Sequence, residues 1–293
     1  VSEGLFNIFE FFASNLKKSD AKLFKEVIEQ KHGKYNKTNL MHILPHAINL
    51  TKFENFLDEI FNFYSENIFD DFLLKIDKDG DTILNSFAIY CKNTQIFEGF
   101  WNKIKVFFTD ESNLKSFLLT KGNFERNSLL WSIVYQNENT FYFLFEQVFC
   151  KIFSIKEFVY ETDKNGEILL HCLARFGSVS MLKFALEKLK NEFSPEDLQN
   201  FIKLKSKNGY NLLHCAAFQN KDEKSIEFLV NFIENEVGSE EVKKMLSELS
   251  NFKKLPLHCA VKFNNVKVLE FLFTFYEQRF DKMQILQFMH EKN

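Results

Sequence analysis

The residues best suited to metal binding or nucleophilic chemistry are three adjacent histidine–cysteine pairs. They stand at His171-Cys172, His214-Cys215 and His258-Cys259, at intervals of 43 and 44 residues. Zinc needs its ligand atoms about 2.0–2.3 Å from one ion, whereas adjacent residues of a helix point about 100° apart. Equivalent residues of stacked helices lie about 8–10 Å apart. We therefore predict structural roles for these pairs and no metal site.

Two other patterns resemble sites of chemistry. A nucleophilic Cys–His pair needs an orienting third group and an oxyanion site, and nothing distinguishes one cysteine of the three pairs from the others. Asp77, Asp79 and Asp81 alternate as in a calcium loop, but Gly80 stands fourth instead of sixth and Ala88 replaces the glutamate expected twelfth. We predict a protein that is not an enzyme, with no catalytic residues, metal or cofactor.

The pairs belong to a longer phrase that recurs through the chain. Leu-Leu-His-Cys occupies 169–172 and 212–215, Pro-Leu-His-Cys occupies 256–259, and three weaker copies precede them. The six equivalent positions, called anchors below, are His42, Asn85, Trp131, His171, His214 and His258. Their intervals run from 40 to 46 residues, and a period of this size indicates stacked copies of one supersecondary unit.

Each copy predicts a turn, a short helix that opens at the anchor, a longer amphipathic helix and a third helical segment. Gly80, Gly166 and Gly209 hold one turn position, where glycine suits a positive φ, and Glu125 and Lys253 replace it in two other copies. We assign residues 34–276 to six repeats, residues 1–33 to N-terminal capping helices and residues 277–293 to a C-terminal cap.

Composition agrees with a helical chain and excludes some partners. Only 3 Pro and 9 Gly occur in 293 residues, which leaves few helix breaks. The net charge is −3 and only three residues are Arg, so we expect no nucleic-acid partner. No apolar run approaches 18 residues, so we expect no membrane-spanning segment. The odd number of five Cys fits a reducing compartment, and we predict a cytoplasmic location.

At its best-preserved copies the chain resembles the ankyrin-repeat family, whose repeat opens with a Gly-containing turn and a Thr-Pro-Leu-His phrase. The matching segments are Asn208-Gly209 with Leu212-Leu213-His214, and Pro256-Leu257-His258. The period is about ten residues longer than the usual 33, and the third helical segment supplies the excess. The resemblance implies an all-α helical repeat solenoid with extended inter-repeat segments. HEAT or armadillo repeats, with periods of about 40–47 residues, are the alternative; they lack the Asn-Gly turn and the Leu-His opening.

The resemblance also implies where a partner binds. In ankyrin-like arrays, the positions four and five residues after each anchor line a concave groove, and the turn tips contribute further contacts. The predicted partner-binding residues are Tyr90, Tyr135, Gln136, Arg175, Phe176, Tyr210, Phe218, Gln219, Lys262 and Phe263. The tips carry Lys78, Asp79, Lys164, Asn165, Lys207 and Asn208. The alternative is that these rings only fill the space between repeats.

These features predict a non-catalytic module for protein–protein interaction, a scaffold that binds a protein or peptide in an aromatic-lined groove. In the same resemblance, the anchor histidines hydrogen-bond neighbouring turns and the cysteines act as small buried apolar residues. Two alternative settings are the cytosolic ankyrin domain of a membrane channel and a host-directed effector of an intracellular bacterium.

Overall fold

The computed structural model describes residues 11, 14–15, 20–29, 31–32, 37–38, 44–64, 72–76, 80–218 and 223–290. The anchor His42, the tip residues Lys78 and Asp79, the groove residue Gln219 and most of the proposed N-terminal cap lie outside these residues. The described residues are predominantly helical, as the sequence predicts, and they form two compact units, 1–154 and 155–293. A short antiparallel pair of strands, Lys31–His32 with Lys37–Thr38, is the non-helical exception.

The second unit contains three repeats in the predicted order of short, long and third helix. A four-residue helix, Ile155–Phe158, precedes them. The helices of the three repeats are Leu169–Phe176, Val179–Glu192 and Pro195–Ile202; Leu212–Ala217, Lys224–Glu236 and Ser239–Ser247; and Pro256–Lys262, Val266–Arg279 and Lys282–His290. The last of these begins 43 residues after Ser239. It therefore occupies the place of a third helix within the segment predicted as a cap.

Polar side chains start several of these helices. Ser178 accepts a hydrogen bond from the Met181 backbone N–H at 3.2 Å, and Ser194 accepts one from Asp197 at 3.1 Å, with Pro195 in the first turn. Asn211 accepts from the backbone N–H of His214 at 3.1 Å. Each cap satisfies a donor that the helix itself leaves unpaired, so the repeat boundaries are encoded locally.

The turn before each anchor from Asn85 onward adopts the backbone that glycine suggested in three of these copies. φ is +84° at Gly80, +69° at Gly166 and +72° at Gly209, and the replacements Glu125 and Lys253 keep +55° and +54°. All five copies therefore use the left-handed region, which costs a side-chain-bearing residue about 1–2 kcal/mol. The conformation belongs to the repeat and is retained where glycine is lost.

Successive turn tips of the second unit bind one another through the backbone. The Lys207 N–H donates to the Asn165 carbonyl at 3.0 Å, and one repeat later the Asn251 N–H donates to the Asn208 carbonyl at 3.0 Å. A Cβ at Gly209 would stand 3.0 Å from the Asn251 nitrogen. Glycine at this position therefore permits both the positive φ and the close approach of the next turn tip.

The first unit has the same order of helices with larger side chains inside. Its described helices are Ala21–Glu29, Leu44–His46, Leu50–Tyr64, Ile83–Tyr90, Thr94–Ile104, Lys105–Phe107, Glu111–Leu119, Asn123–Glu125, Ser128–Val134, Glu138–Tyr142, the π-helical Phe143–Phe149, and Cys150–Ile152. Phe87 stacks on Phe100 at 4.1 Å, and both are fully buried. The second unit fills its core mainly with Leu, Ile and Ala. Phe87 stands where the last two copies have Ala216 and Ala260, which is one reason why the first copies match the repeat phrase weakly.

Candidate partner-binding surface

The anchor histidines of the second unit join one repeat to the next. The Nε2 of His171 lies 3.1 Å from the Leu204 carbonyl oxygen, and the Nε2 of His214 lies 2.8 Å from that of Lys254. Both rings are fully buried. Burial lowers the pKa of each imidazole from 6.5 to about 4, so both are neutral near pH 7. The predicted structural role is confirmed for these two residues.

The third histidine, His258, also contacts the start of its own short helix. The Nδ1 of His258 accepts a hydrogen bond from the Leu255 N–H at 3.1 Å. In the first unit, the anchor Trp131 takes a different route, because its indole N–H donates to the Asp81 carboxylate of the preceding turn at 3.0 Å. Asp81 also accepts from the Asn123 backbone N–H at 3.2 Å. A different side chain therefore makes the link between turns when the histidine is replaced.

The cysteines beside the anchors are buried in environments that favour the thiol. Burial raises the pKa of Cys215 well above its ordinary value and that of Cys259 to about 12. A thiol must ionise to act as a nucleophile or metal ligand. These two cysteines therefore have the character of small apolar core residues, as the resemblance implies.

One group of buried side chains brings three metal-ligand types together. Ligand atoms of Asp163, Glu167 and Cys172 lie within 4.8 Å of one another. However, Asp163 Oδ1 accepts from the backbone N–H groups of Asn165 at 2.8 Å and Glu167 at 3.1 Å, and so closes the turn. Glu167 pairs with the guanidinium of Arg175. These contacts give both carboxylates a structural purpose without an ion.

The predicted groove positions of the second unit form one cluster of rings around Arg175. Its guanidinium lies 4.0 Å from the Phe218 ring centroid and 5.8 Å from that of Phe176. The Phe218 ring is 4.7 Å from Phe263, edge to face. Side chains four and five residues after the anchors therefore meet across neighbouring repeats of this unit. Arg175 itself is turned inward, with its side chain only 16% exposed.

The corresponding positions of the first unit form a second series of rings. His46 and Tyr90 are 5.8 Å apart, and Tyr90 and Tyr135 are 6.3 Å apart, measured between ring centroids. Gln136 has φ +53° and its N–H donates to the Ile133 carbonyl at 3.0 Å. Its place at the end of the short helix explains its partial exposure.

The rings differ in how far they are available to a partner. Tyr135 is 47% exposed and Phe263 is 39% exposed, whereas Tyr210, predicted at a turn tip, is only 8% exposed. One tip ring that sequence reasoning missed is Phe252, which is 55% exposed and 6.2 Å from Tyr210. Phe252 takes the position held by Asn165 and Asn208. The substitution of an aromatic residue for asparagine at a tip was the signal available in the sequence.

A second apolar surface lies on the outer face of the last repeat. A cavity of about 630 Å³ is lined there by Leu257, His258, Val261, Leu269, Glu270, Phe273 and Thr274. Val261 is 58% exposed, whereas Ala174 and Ala217, at the same position of the two preceding repeats, are fully buried. The equivalent surface of the two preceding repeats is covered by the next repeat, whereas here, at the end of the described stack, it is exposed.

Comparisons with known proteins find matches in structure but not in sequence. Scans of the sequence against family models and characterised proteins give no match. Among solved structures, the ankyrin repeat domain of Bcl-3, a member of the IkappaB protein family, matches with a TM-score of 0.50 and 12% identity, over 89% of this chain and 96% of that one. A chain from the structure of the Bd0816 predatory endopeptidase of Bdellovibrio bacteriovorus in complex with immunity protein Bd3460 matches with a TM-score of 0.51 and 15% identity, over 81% and 98%.

The comparisons show an ankyrin-repeat-like fold, as the sequence predicts. At 12–15% identity they show the fold alone. In the part of the chain that the structure describes, no helix is long and apolar enough to cross a membrane.

Proposed function

We propose that this protein is a non-catalytic interaction module that binds a protein or peptide on the surface formed by the first helices and turn tips of its repeats. The observation that carries the proposal is the placement of the predicted aromatic residues. Tyr90 contacts Tyr135 within the first unit, Phe218 contacts Phe263 within the second, and all four rings remain partly exposed. Exposed apolar surface that is continuous across elements is typical of partner-binding sites.

The kinds of residue present also suit recognition. Aromatic side chains supply large contact areas at low entropic cost and dominate the binding energy of interfaces. The ankyrin-like scaffold holds them at the ends of its first helices, so little ordering is needed when a partner binds. One structural relative was determined as a complex of an endopeptidase with an immunity protein. That complex is consistent with a protein partner for a fold of this kind.

The absence of an enzymatic role is part of the same proposal. The described side chains that could form a catalytic or metal site have structural roles. His171 and His214 join neighbouring repeats. Asp163 closes a turn, and Glu167 pairs with Arg175. A catalytic cysteine needs a lowered pKa, whereas burial raises that of Cys215.

The test compares partner capture by three immobilised proteins: the wild type, the Tyr135→Ser/Phe263→Ser variant and a Met283→Ser control. Met283 is 76% exposed and lies outside the ring series. We expect the ring variant to keep its circular dichroism spectrum and thermal midpoint but lose proteins from a cell extract that the wild type and the control retain. Equal capture by all three proteins would refute the proposed surface.

A further inference from the structure

The acidic residues of the last two repeats are unevenly distributed, because their turns and first helices contain none. Segments 203–218 and 249–263 form the turns and first helices of these repeats, and they contain no Asp or Glu. They carry six lysines: Lys203, Lys205, Lys207, Lys253, Lys254 and Lys262. The second and third helices carry seven carboxylates: Glu227, Glu234, Glu236, Glu240, Glu241, Glu270 and Glu277. A chain with a net charge of −3 therefore presents a locally basic surface.

Three of these lysines have their charge available for a partner. Lys207, Lys253 and Lys262 are exposed, and none of them forms an ion pair with another described residue. Lys205 differs, because it pairs with Glu248. A positive surface without internal compensation attracts anionic partners and raises their rate of association.

The same surface carries a row of aromatic rings. Phe252 lies 6.2 Å from Tyr210, Tyr210 lies 5.2 Å from Phe218, and Phe218 lies 4.7 Å from Phe263, measured between centroids. The row runs from a turn tip to the end of a first helix and crosses two repeats. Its two ends are exposed, Phe252 by 55% and Phe263 by 39%.

The lysines flank this row of rings. Lys253 is adjacent to Phe252, and the Lys262 Nζ lies 5.7 Å from the centroid of Phe263. Lys207 belongs to the neighbouring tip, whose Asn208 carbonyl accepts the hydrogen bond from Asn251. We call this set, Lys207, Phe252, Lys253, Lys262 and Phe263, the basic aromatic surface.

We infer that the basic aromatic surface binds an acidic peptide segment whose carboxylates alternate with aromatic or large aliphatic side chains. The inference rests on the proposed function and names the chemical class of the partner. Carboxylates of the peptide pair with the three lysines, and its apolar side chains pack against Phe252 and Phe263. Charges at the rim set the rate and specificity of association, while buried rings supply most of the affinity.

A single-stranded nucleic acid is also anionic, but the ring geometry does not suit it. Bases bind to proteins by stacking on open ring faces. Here Phe218 contacts Phe263 at an interplanar angle of 83° and Tyr210 at 84°, and the guanidinium of Arg175 lies 4.0 Å from the Phe218 centroid. The guanidinium occupies one face of Phe218, so this central ring is not the open platform on which a base stacks.

The test uses a fluorescein-labelled synthetic peptide that alternates Glu with Phe and a second peptide in which each Glu is Gln. One exposed ion pair strengthens binding by roughly two- to fivefold, so three should give the Glu peptide about a tenfold lower Kd. Raising NaCl from about 50 to about 300 mM should remove most of this difference, because salt screens exposed charges. Equal Kd values for the two peptides, or no binding of the Glu peptide, would overturn the inference.

Two triple variants locate the effect. Lys207→Gln/Lys253→Gln/Lys262→Gln should weaken binding of the Glu peptide about tenfold and leave that of the Gln peptide unchanged. The control, Lys224→Gln/Lys267→Gln/Lys282→Gln, removes three exposed lysines from the outer helices and should change neither Kd. Equal losses in the two variants would refute the assigned surface, and tighter binding of a single-stranded oligonucleotide than of the Glu peptide would refute the partner class.

A further variant separates the inference from the proposed function. Phe263→Ser should weaken both peptides, since both carry phenylalanine. If Phe263→Ser weakens both peptides but they bind the wild type equally, the ring surface stands and only the acidic partner is refuted. If neither peptide binds, the acidic partner is refuted, and the capture experiment with Tyr135→Ser/Phe263→Ser decides the proposed function independently.

Discussion

Because two of its anchor histidines are buried, the second unit should lose stability in mild acid. Burial lowers the pKa of His171 and of His214 from 6.5 to about 4. The unfolded chain therefore binds more protons than the folded chain between these values. The contribution to stability is full above about pH 6.5 and is lost as the pH falls toward 4.

The size of the effect follows from proton linkage. With a folded pKa of about 4 and an unfolded pKa of 6.5, lowering the pH from about 7 to about 5 costs about 2 kcal/mol for each histidine. Two histidines then lose about 4 kcal/mol, a large fraction of the stability of an ordinary domain. Carboxylates, whose ordinary pKa values are about 4, contribute mainly at lower pH.

The assay is urea unfolding followed by far-ultraviolet circular dichroism at several values between pH 5 and pH 8. The wild type is compared with His171→Gln/His214→Gln, in which the amide retains a donor for the Leu204 and Lys254 carbonyls but does not titrate. We expect a steep loss of unfolding free energy below pH 6.5 in the wild type and a much smaller loss in the variant.

The reasoning is refuted if the two proteins lose the same free energy over this range. Single variants provide the measurement if the double variant does not fold, and each should remove about half of the pH dependence. An independent check is the nuclear magnetic resonance titration of the ring Cε1 protons. The His171 and His214 signals should not shift between pH 7 and pH 5.

Three further predictions concern the scaffold. Lys253→Gly should stabilise the fold by about 0.5–1 kcal/mol, because it removes a side chain from a left-handed backbone position. Gly209→Ala should destabilise the fold more than Gly80→Ala, since the nearest atom to a Cβ at Gly80 would be 3.8 Å away. Chemical denaturation measures the free energy of unfolding of each variant. Arg175→Met should cost about 3 kcal/mol, because it removes the guanidinium that pairs with the buried Glu167, and adding Glu167→Gln should restore part of the loss in the same assay. Ala217→Lys should lower the thermal midpoint strongly, while Val261→Lys at the equivalent exposed position should change stability by less than about 0.5 kcal/mol.

The scaffold was predictable from the sequence because its periodic positions carry fixed physical demands. The anchor histidine needs a carbonyl of the next repeat, the turn needs a positive φ, and the third helix needs a polar start such as Ser194. Each demand restricts residue type, so the repeats of the second unit remain recognisable. The positive φ of Glu125 and Lys253 could also be inferred from their register with the glycines.

The first unit was harder to interpret because different side chains meet the same demands. Trp131 replaces histidine by donating to Asp81 of the preceding turn, and Phe87 fills the core position that Ala216 and Ala260 hold in the last two copies. The second helix of this repeat includes the π-helical stretch Phe143–Phe149, which no periodic pattern indicated. These substitutions keep the helices stacked, but the repeat phrase can no longer be recognised in the sequence.

The orientation of single side chains was beyond the sequence. Arg175 and Phe218 occupy the same position of successive repeats, so spacing alone predicts equal exposure. In the fold the Arg175 guanidinium lies over the Phe218 ring and pairs with Glu167, a residue at a turn rather than on a helix face. Arg175, which the spacing predicts to contact a partner, therefore joins two repeats instead.

The same contrast explains why a repeat protein reveals its fold before its partner. Ala174, Ala217 and Val261 share one position, yet the first two are sealed by the next repeat and the third lies open. Buried positions are constrained by the neighbouring copy, which is part of the same sequence. Exposed positions such as Phe252 and Lys207 have no such constraint from a neighbouring copy. The signal of a partner is therefore best sought where the chain departs from its own repeat, as it does at the last described tip, where Phe252 and Lys253 replace Asn-Gly.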